Sequence, residues 1–384
     1  MKVALSTPGK FHTFDLAREL HARNALSCVF TGYPRFKLKN EGLPAESIKP
    51  FPWLITPYLG LAKRYRLGTG FVRDWEYLNR VSLDRYVANK MPDCSVYVCL
   101  SGFGFASGQR AQKRGISYVC DRGSTHIRHQ NEILAEEHAL WGQPFEHNDP
   151  RTIEGEEAEY ELATAITVPS QFTRQTFIDR GVPAHKVHVL PYGVNLSHFN
   201  KVAEPSTEHF DVLFAGGASL RKGVPYLLQA FQRLQHPGKR LWFAGSMPPD
   251  FIEMMRSAGL WSDDFHVLNH LNREALRDRM SRSHVMVLPS LEEGLALVQA
   301  QALACGCPVI ATENTGSPDL FTDGEAGFIL PVRRADLIAE RLQQLADDPA
   351  LRQRLGEGAL STVQRIGGWH EYGDKAMHIY RSLV

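Results

Sequence analysis

The sequence predicts an α/β protein of two domains, each a doubly wound, Rossmann-like parallel sheet covered by helices on both faces. Short runs rich in Val, Ile, Leu and Phe alternate with longer amphipathic stretches from end to end, the alternation of strand and helix that builds such sheets. At 384 residues the chain is too long for one ordinary core. Between residues 196 and 210, "LSHFNKVAEPSTEHF" loses apolar periodicity and gains Pro, Ser and Thr, as a linker does. The expected units are residues 1–200, residues 201–366 and a C-terminal helix over 367–384.

In chain order, the first unit offers strands at "KVALST", "SCVFTG", "SVYVCLS", "ISYVCD", "AITVPS" and "VHVLPYG". Most lead through a turn into a helical pattern, such as "FDLARELHARN" or "SQFTRQTFIDRG". The second unit repeats the arrangement with "DVLFAGG", "LWFAGS", "FHVLNHL", "HVMVLPS", "PVIATEN" and "AGFILPV". The last helix follows Gly367 and Gly368, which can act as a swivel. It either crosses back onto the N-terminal domain or ends on its own. One stretch, "FPWLITPYLGLAKRYRLGTGF" (51–71), is aromatic and then basic at Lys63, Arg64 and Arg66. It either rests on a membrane surface or closes an acceptor cleft.

Lys plus Arg number 43 against 42 for Asp plus Glu, so no global field attracts nucleic acid or an anionic bilayer. Any anion site has to be local. The six cysteines lie mostly in apolar runs without metal-ligand spacing, which fits reduced core residues in a cytoplasmic protein. No stretch reaches the roughly 18 to 20 apolar residues of a membrane-spanning helix.

In open parallel sheets ligands bind beyond the carboxyl ends of strands, so the loops after strands are where chemistry is expected. After the first strand, Gly9 permits close backbone approach at the start of a helix, and His12 either contacts substrate or is merely solvated. After "VLFAG", Arg221 and Lys222 stand just before Gly223 and an apolar-faced helix. Two cations and a helix N-terminus converging on one spot suit a diphosphate. After "VMVLPS" comes "LEEGLA", then a helix closed by Gly306 and Pro308. A carboxylate at this place would repel phosphate, so Glu293 is expected to face a neutral, hydroxyl-rich ligand such as a sugar. Gln301 falls two turns on, on nearly the same face as Leu297.

"FAGGASLRKGVPYLLQAF", "VLPSLEEGLALVQAQALACGCPVIAT", "TGSPDL" and "DGEAGFILP" resemble the successive motifs of glycosyltransferase family 4, retaining enzymes of the GT-B fold. "VPSQFTRQTFIDRGVPAHKVHVLPYGVNLSHF" is similar to the segment that leads into that family's interdomain linker. The resemblance implies a nucleoside-diphosphate sugar as donor, a sugar or lipid-linked hydroxyl as acceptor, no metal and no nucleic acid. It also implies a cytoplasmic enzyme, at the inner face of the membrane if the acceptor is a lipid. Arg221 and Lys222 would take the diphosphate and Glu293 the donor sugar. Gly294, Leu295, Ala296, Leu297 and Val298 would contact sugar and phosphate through their backbone, with Gly9 and Gly216 beside them. The turn from Asn269 to Leu271 would meet the base. In relatives the loop after "YVCD" often carries a catalytic-pocket histidine, which makes His126 a catalytic candidate. Asp121 and Arg122, with His12, are acceptor-binding candidates, unless Asp121 and Arg122 only fix the loop.

Three departures from the family pattern stand out. Its second glutamate, which holds the ribose, is Gln301; the usual Gly-Arg is Gly216-Gly217; and the Gly-Gly-x-Pro-Glu turn reads Thr315 to Asp319. An amide both accepts and donates, so Gln301 can still meet a vicinal diol. The rival readings are a non-catalytic sugar-nucleotide binder and an epimerase or phosphorylase on the same fold.

Overall fold

The structure is a computed structural model that describes residues 1–58 and 69–384. Lys63, Arg64 and Arg66, the cations of the expected membrane-facing stretch, lie outside the described residues.

The N-terminal sheet has seven parallel strands in the order β3-β2-β1-β4-β5-β6-β7. They are β1 (Val3–Thr7), β2 (Leu26–Thr31), β3 (Ile48–Pro50), β4 (Val96–Leu100), β5 (Ser117–Asp121), β6 (Ala165–Val168) and β7 (Val187–Val189). Around them run α1 (Thr13–Ala22), α2 (Thr69–Lys90), α3 (Phe105–Lys113), α4 (Ile127–Leu140), α5 (Pro150–Leu162) and α6 (Gln171–Ile178). β3 is an edge strand that the sequence reading lacked. Its three residues, Ile48, Lys49 and Pro50, are too few to show a period, and pairing with β2 alone makes them a strand.

The C-terminal sheet has six strands in the order β10-β9-β8-β11-β12-β13. They are β8 (Phe210–Ala215), β9 (Lys239–Ala244), β10 (His266–Val267), β11 (Val285–Leu288), β12 (Val309–Thr312) and β13 (Gly327–Leu330). The helices here are α7 (Val224–Arg233), α8 (Pro249–Ser257), α9 (Arg273–Ser281), α10 (Val298–Ala304), α11 (Ala335–Asp347) and α12 (Pro349–Val363). The central strands β1, β8 and β11 are buried at every residue, which is why they read as near-continuous apolar runs, broken only by Ser6, Thr7 and Asp211, and not as an alternation.

The last helix, α13 (Trp369–Arg381), lies on the N-terminal domain. Its Tyr372, Ala376, Met377 and Tyr380 share a core with Val3, Leu5, Phe14 and Leu20. Gly373 allows close packing, since a Cβ there would lie 2.7 Å from the Glu19 Cβ. Arg23, just past the end of α1, secures the exposed side by donating to the Asp374 carboxylate and the His370 carbonyl. No helix among the described residues is long and apolar enough to cross a membrane.

Candidate functional site

In both sheets the first strand is flanked by β4 or β11, where the strand order reverses, and the loops at that reversal face each other across the domain interface. On the C-terminal side, the β8–α7 and β11–α10 loops border a cavity of about 540 Å³. Gly216, Lys222, Ser246, Glu293 and the segment from Leu295 to Val298 line it, with His270 and Leu271 at one end. Lys222 is aimed by the turn before α7. Gly223 caps that helix at φ +65°, and a Cβ at this position would lie 1.9 Å from the Pro289 carbonyl oxygen. Only glycine permits this approach of the two loops.

Lys222 Nζ donates to Glu293 Oε1, and Arg221 Nη2 stands 3.6 Å from Glu293 Oε2. Arg221 Nη1 donates to both the carbonyl and the carboxylate of Glu292 at 3.0 Å. Two cations thus alternate with two carboxylates. Lys222 and Glu293 line the cavity; Arg221 reaches it only through Glu293.

The sequence around Glu292 does not reveal what it does, because its partners lie on the other domain. Its carboxylate is fully buried and accepts from Ser124 Oγ, from Thr125 N and Oγ1, and from Gln130 Nε2. Burial alone would raise its pKa, but Arg221 and the bonds from Ser124, Gln130 and the Thr125 amide outweigh it and hold the carboxyl at about 2. Beside this contact, Gly294 packs on Gly123 so closely that a Cβ on Gly294 would lie 2.1 Å from the Gly123 oxygen. Ser170 Oγ donates to the Gly294 carbonyl and the Gln171 amide to Asp319, so several bonds tie the domains along one line. Glu137 of α4 adds another tie, accepting from Tyr226 and Arg333 of the C-terminal domain.

On the N-terminal side, His12 Nε2 lies 2.6 Å from Asp121 Oδ2, and Thr167 donates to the other carboxylate oxygen. The carboxylate can only accept, so Nε2 carries a proton and donates it to Asp121. The His12 ring rests on Tyr192, with centroids 4.4 Å apart. Gly123 adjoins both: a Cβ there would lie 2.7 Å from Tyr192 Oη and 3.8 Å from His12 Cε1. His12 and Asp121 therefore stand together next to the loop that meets Gly294. Tyr192, which carries no motif, was not legible in the sequence.

Two candidates are corrected. Arg122 is not free to meet an acceptor or a phosphate: its guanidinium donates to Glu156, Ser101, Gln130 and the Thr125 carbonyl. Burial would lower its pKa, and the Glu156 carboxylate beside it more than compensates. Nor does it pair with Asp121; it fixes the 121–130 loop through a different, buried acid. His126 is a helix cap. Its Nδ1 accepts from the Arg128 amide at the start of α4, and its ring is packed between Tyr160 and Phe177. Burial, with Arg180 and Arg122 nearby, lowers its pKa to about 4 against the pull of Glu157 and Glu156, so it is neutral at pH 7. His126 is absent from the lining of the cavity of about 540 Å³ and borders a separate hollow with Glu157, Tyr160 and Arg180.

Of the remaining candidates, some reach the cavity and some do not. Asn269 adopts φ +53°, which turns the chain so that His270 and Leu271 reach the lining. Gly9 lies in the β1–α1 turn against Phe11 and Tyr33, outside that lining. Gln301 is half-buried on α10, one turn beyond Leu297, and does not line the cavity either. Its neighbour Gln299 is fully buried, bonding the Thr315 carbonyl and accepting from Ser317.

The family model described as Glycosyltransferase Family 4 matches residues 10–198, and that described as Glycosyl transferases group 1 matches residues 197–362. Among curated proteins, an alpha-D-kanosaminyltransferase of Streptomyces kanamyceticus is 30% identical over 176 residues, 45% of each chain. A D-inositol 3-phosphate glycosyltransferase of Streptomyces bingchenggensis is 36% identical over 184 residues, 45% of this chain and 40% of that protein. The matched stretch spans about half the length of such relatives. Among solved structures, a sucrose-phosphate synthase from Thermosynechococcus elongatus superposes with a TM-score of 0.73 at 21% identity, covering 100% of this chain and 99% of that one. Anabaena HepE in complex with UDP and glucose superposes at 0.71 with 15% identity, covering both chains fully. These likenesses are to the GT-B fold.

Proposed function

The chain belongs to the group 1 glycosyl transferases of glycosyltransferase family 4, and from that membership and its site we propose that it transfers a sugar, with retention of configuration, from a nucleoside-diphosphate sugar to an acceptor hydroxyl. The observation that carries this reading is the convergence of Lys222 and Glu293 on one cavity of about 540 Å³, with Arg221 bridged to both glutamates beside it. Cations stabilise the charge that builds on a departing diphosphate, and they do so most strongly where water is excluded. The N-terminus of α7, which Lys222 precedes, adds its dipole in the same sense.

The acceptor hydroxyl attacks from the face on which the diphosphate leaves, its proton passing to the departing phosphate. Glu293 holds sugar hydroxyls, the segment from Gly294 to Val298 meets sugar and phosphate, and Asn269 to Leu271 flank the base. His12, oriented by Asp121, receives the acceptor from the N-terminal domain. The charge neutralisation assigned to a metal in other transferases falls here to Arg221 and Lys222. Gln301, one turn beyond the cavity lining at Leu297, meets the ribose diol at the rim, accepting from one hydroxyl and donating to the other where a carboxylate would accept from both. The name of one relative, a D-inositol 3-phosphate glycosyltransferase, favours a polyol acceptor. A membrane-surface acceptor is the finer alternative, favoured by Trp53 and Phe71, which are 73% and 59% exposed.

A thermal-shift screen against UDP-, GDP- and ADP-sugars identifies the donor, because a ligand that binds only the folded state raises its melting temperature. Release of nucleoside diphosphate with an acceptor, and an α-product from an α-donor by NMR, then establish transfer with retention. The Gln301 substitution favours one second reading, a non-catalytic binder. Binding of a sugar nucleotide with no diphosphate release across a panel of polyol, sugar and lipid-linked acceptors would decide for it.

A further inference from the structure

Glu292 stands next to Glu293, yet it takes no part in lining the cavity. All of its polar capacity is used inside the protein: Oε1 accepts from Ser124 and Thr125, and Oε2 from Gln130 and Arg221. Stability does not account for such a group. Burying a carboxylate costs dehydration that pairing only offsets, and an apolar side chain of similar size would do as well or better. What the arrangement provides is a link between two domains and one guanidinium.

The donors divide by domain. Ser124, Thr125 and Gln130 belong to the N-terminal loop and α4, whereas Arg221 belongs to the β8–α7 loop. Arg122 stiffens the N-terminal side, holding Thr125 by its carbonyl and Gln130 by its side-chain oxygen. With the domains together, Glu292 is fixed from the N-terminal side. It then holds Arg221 Nη1 so that Nη2 turns to within 3.6 Å of Glu293, at the edge of the cavity. If the domains separate, the bonds to Ser124, Thr125 and Gln130 are lost, and the carboxylate and Arg221 are both free to turn.

We propose that Glu292 is a positioning residue that aims Arg221 at the donor diphosphate only when the two domains are closed, so that the charge needed at the leaving group is assembled by closure. The role of Arg221 in this rests on the transferase reading above; the link between the domains does not.

The test is a double-mutant cycle on the full chain, with thermal unfolding measured for every variant. Glu292→Gln keeps the size but sets an amide donor against the donors it meets. In the wild-type background it lowers kcat/KM for the donor by about a hundredfold, as a small misplacement of a catalytic group does. In an Arg221→Ala background the same change lowers it by less than about threefold, because the effect acts through Arg221. Effects that multiply would overturn the aiming role. Gln130→Ala, which removes one donor from the N-terminal side, lowers kcat/KM several-fold in the same Arg221-dependent way and serves if Glu292→Gln does not fold. Small-angle scattering tests the link by itself: in a Ser170→Ala, Glu137→Gln background that loosens the other ties, Glu292→Gln gives a larger radius of gyration than the background alone, and an unchanged radius would overturn it. A wild-type chain that turns over no sugar nucleotide would overturn the transferase reading and the aiming role with it, while the scattering still decides the link.

Discussion

The loop after β5 and the loop after β11 meet across the interface, and in the sequence they look alike. Each follows a buried strand, each carries charged residues, and each leads into a helix. Their charges have opposite fates. Arg122 and His126 are consumed within the N-terminal domain, one by Glu156 and one as the cap of α4. Glu293, with Lys222 opposite it, is left on the wall of a cavity. The two arginines show the same contrast, with the Arg122 side chain 11% exposed and that of Arg221 35%. A charged residue on a strand-end loop thus becomes a candidate for chemistry only where the fold supplies no full set of internal partners.

The largest effect that sharpens this comparison is Lys222→Ala. Turnover is expected to fall by about a thousandfold with circular dichroism unchanged, as for loss of one donor that stabilises a developing oxyanion. Near wild-type turnover would make the C-terminal loop as structural as its counterpart. Arg122→Ala should act mainly on stability, lowering it to urea by about 3 kcal/mol, because the buried Glu156 carboxylate loses its nearer cation and is left with Tyr160 and the more distant Arg80. A loss of turnover without a loss of stability would restore Arg122 to the acceptor site.

Glu159 gives the comparison a pH dimension. It lies under the β4–α3 loop, accepting from the Gly102 and Gly104 amides, and burial pushes its carboxyl from 4.5 to about 8 in spite of those bonds. An acid whose pKa is raised by folding binds its proton more tightly in the native state. Its contribution is full below pH 4.5 and declines as pH rises toward 8. Glu159→Gln should flatten the stability profile between these limits, and an unchanged slope in urea titrations would show that the group is ionised in the fold. Glu292 has the opposite sign, since a depressed pKa contributes stability that is lost only as pH falls from 4.5 toward 2.

Smaller effects remain. Gln301→Ala is expected to weaken donor binding by about 1 kcal/mol in calorimetry, the size of one neutral hydrogen bond; unaltered affinity would remove Gln301 from the ribose site. His126→Asn keeps a capping oxygen for the Arg128 amide. It should leave kcat within about threefold of wild type, the uncertainty of a distant repacking. A much larger fall in kcat would return His126 to the cleft.

Much of the fold was legible because buried parallel strands write their burial into the chain as predominantly apolar runs. β3 was not, since three residues that include Lys49 and Pro50 carry no period. At the site, the turn chemistry of Gly223 and the "LEEGLA" stretch pointed to the cavity. The partner of Arg122 did not show, because Glu156 is 34 residues away along the chain and no local pattern encodes the pairing.

The sequence by itself determined two α/β units, the linker between them and the family, because periodicity, turn residues and motif spacing are local properties of the chain. Only the tertiary structure decided on which domain the last helix rests, which charges are neutralised internally and that Glu292 reaches across to Ser124, Thr125 and Gln130. The reason is physical: whether a charge is available depends on burial and on partners brought from distant parts of the chain, and neither exists until the two sheets have folded and met.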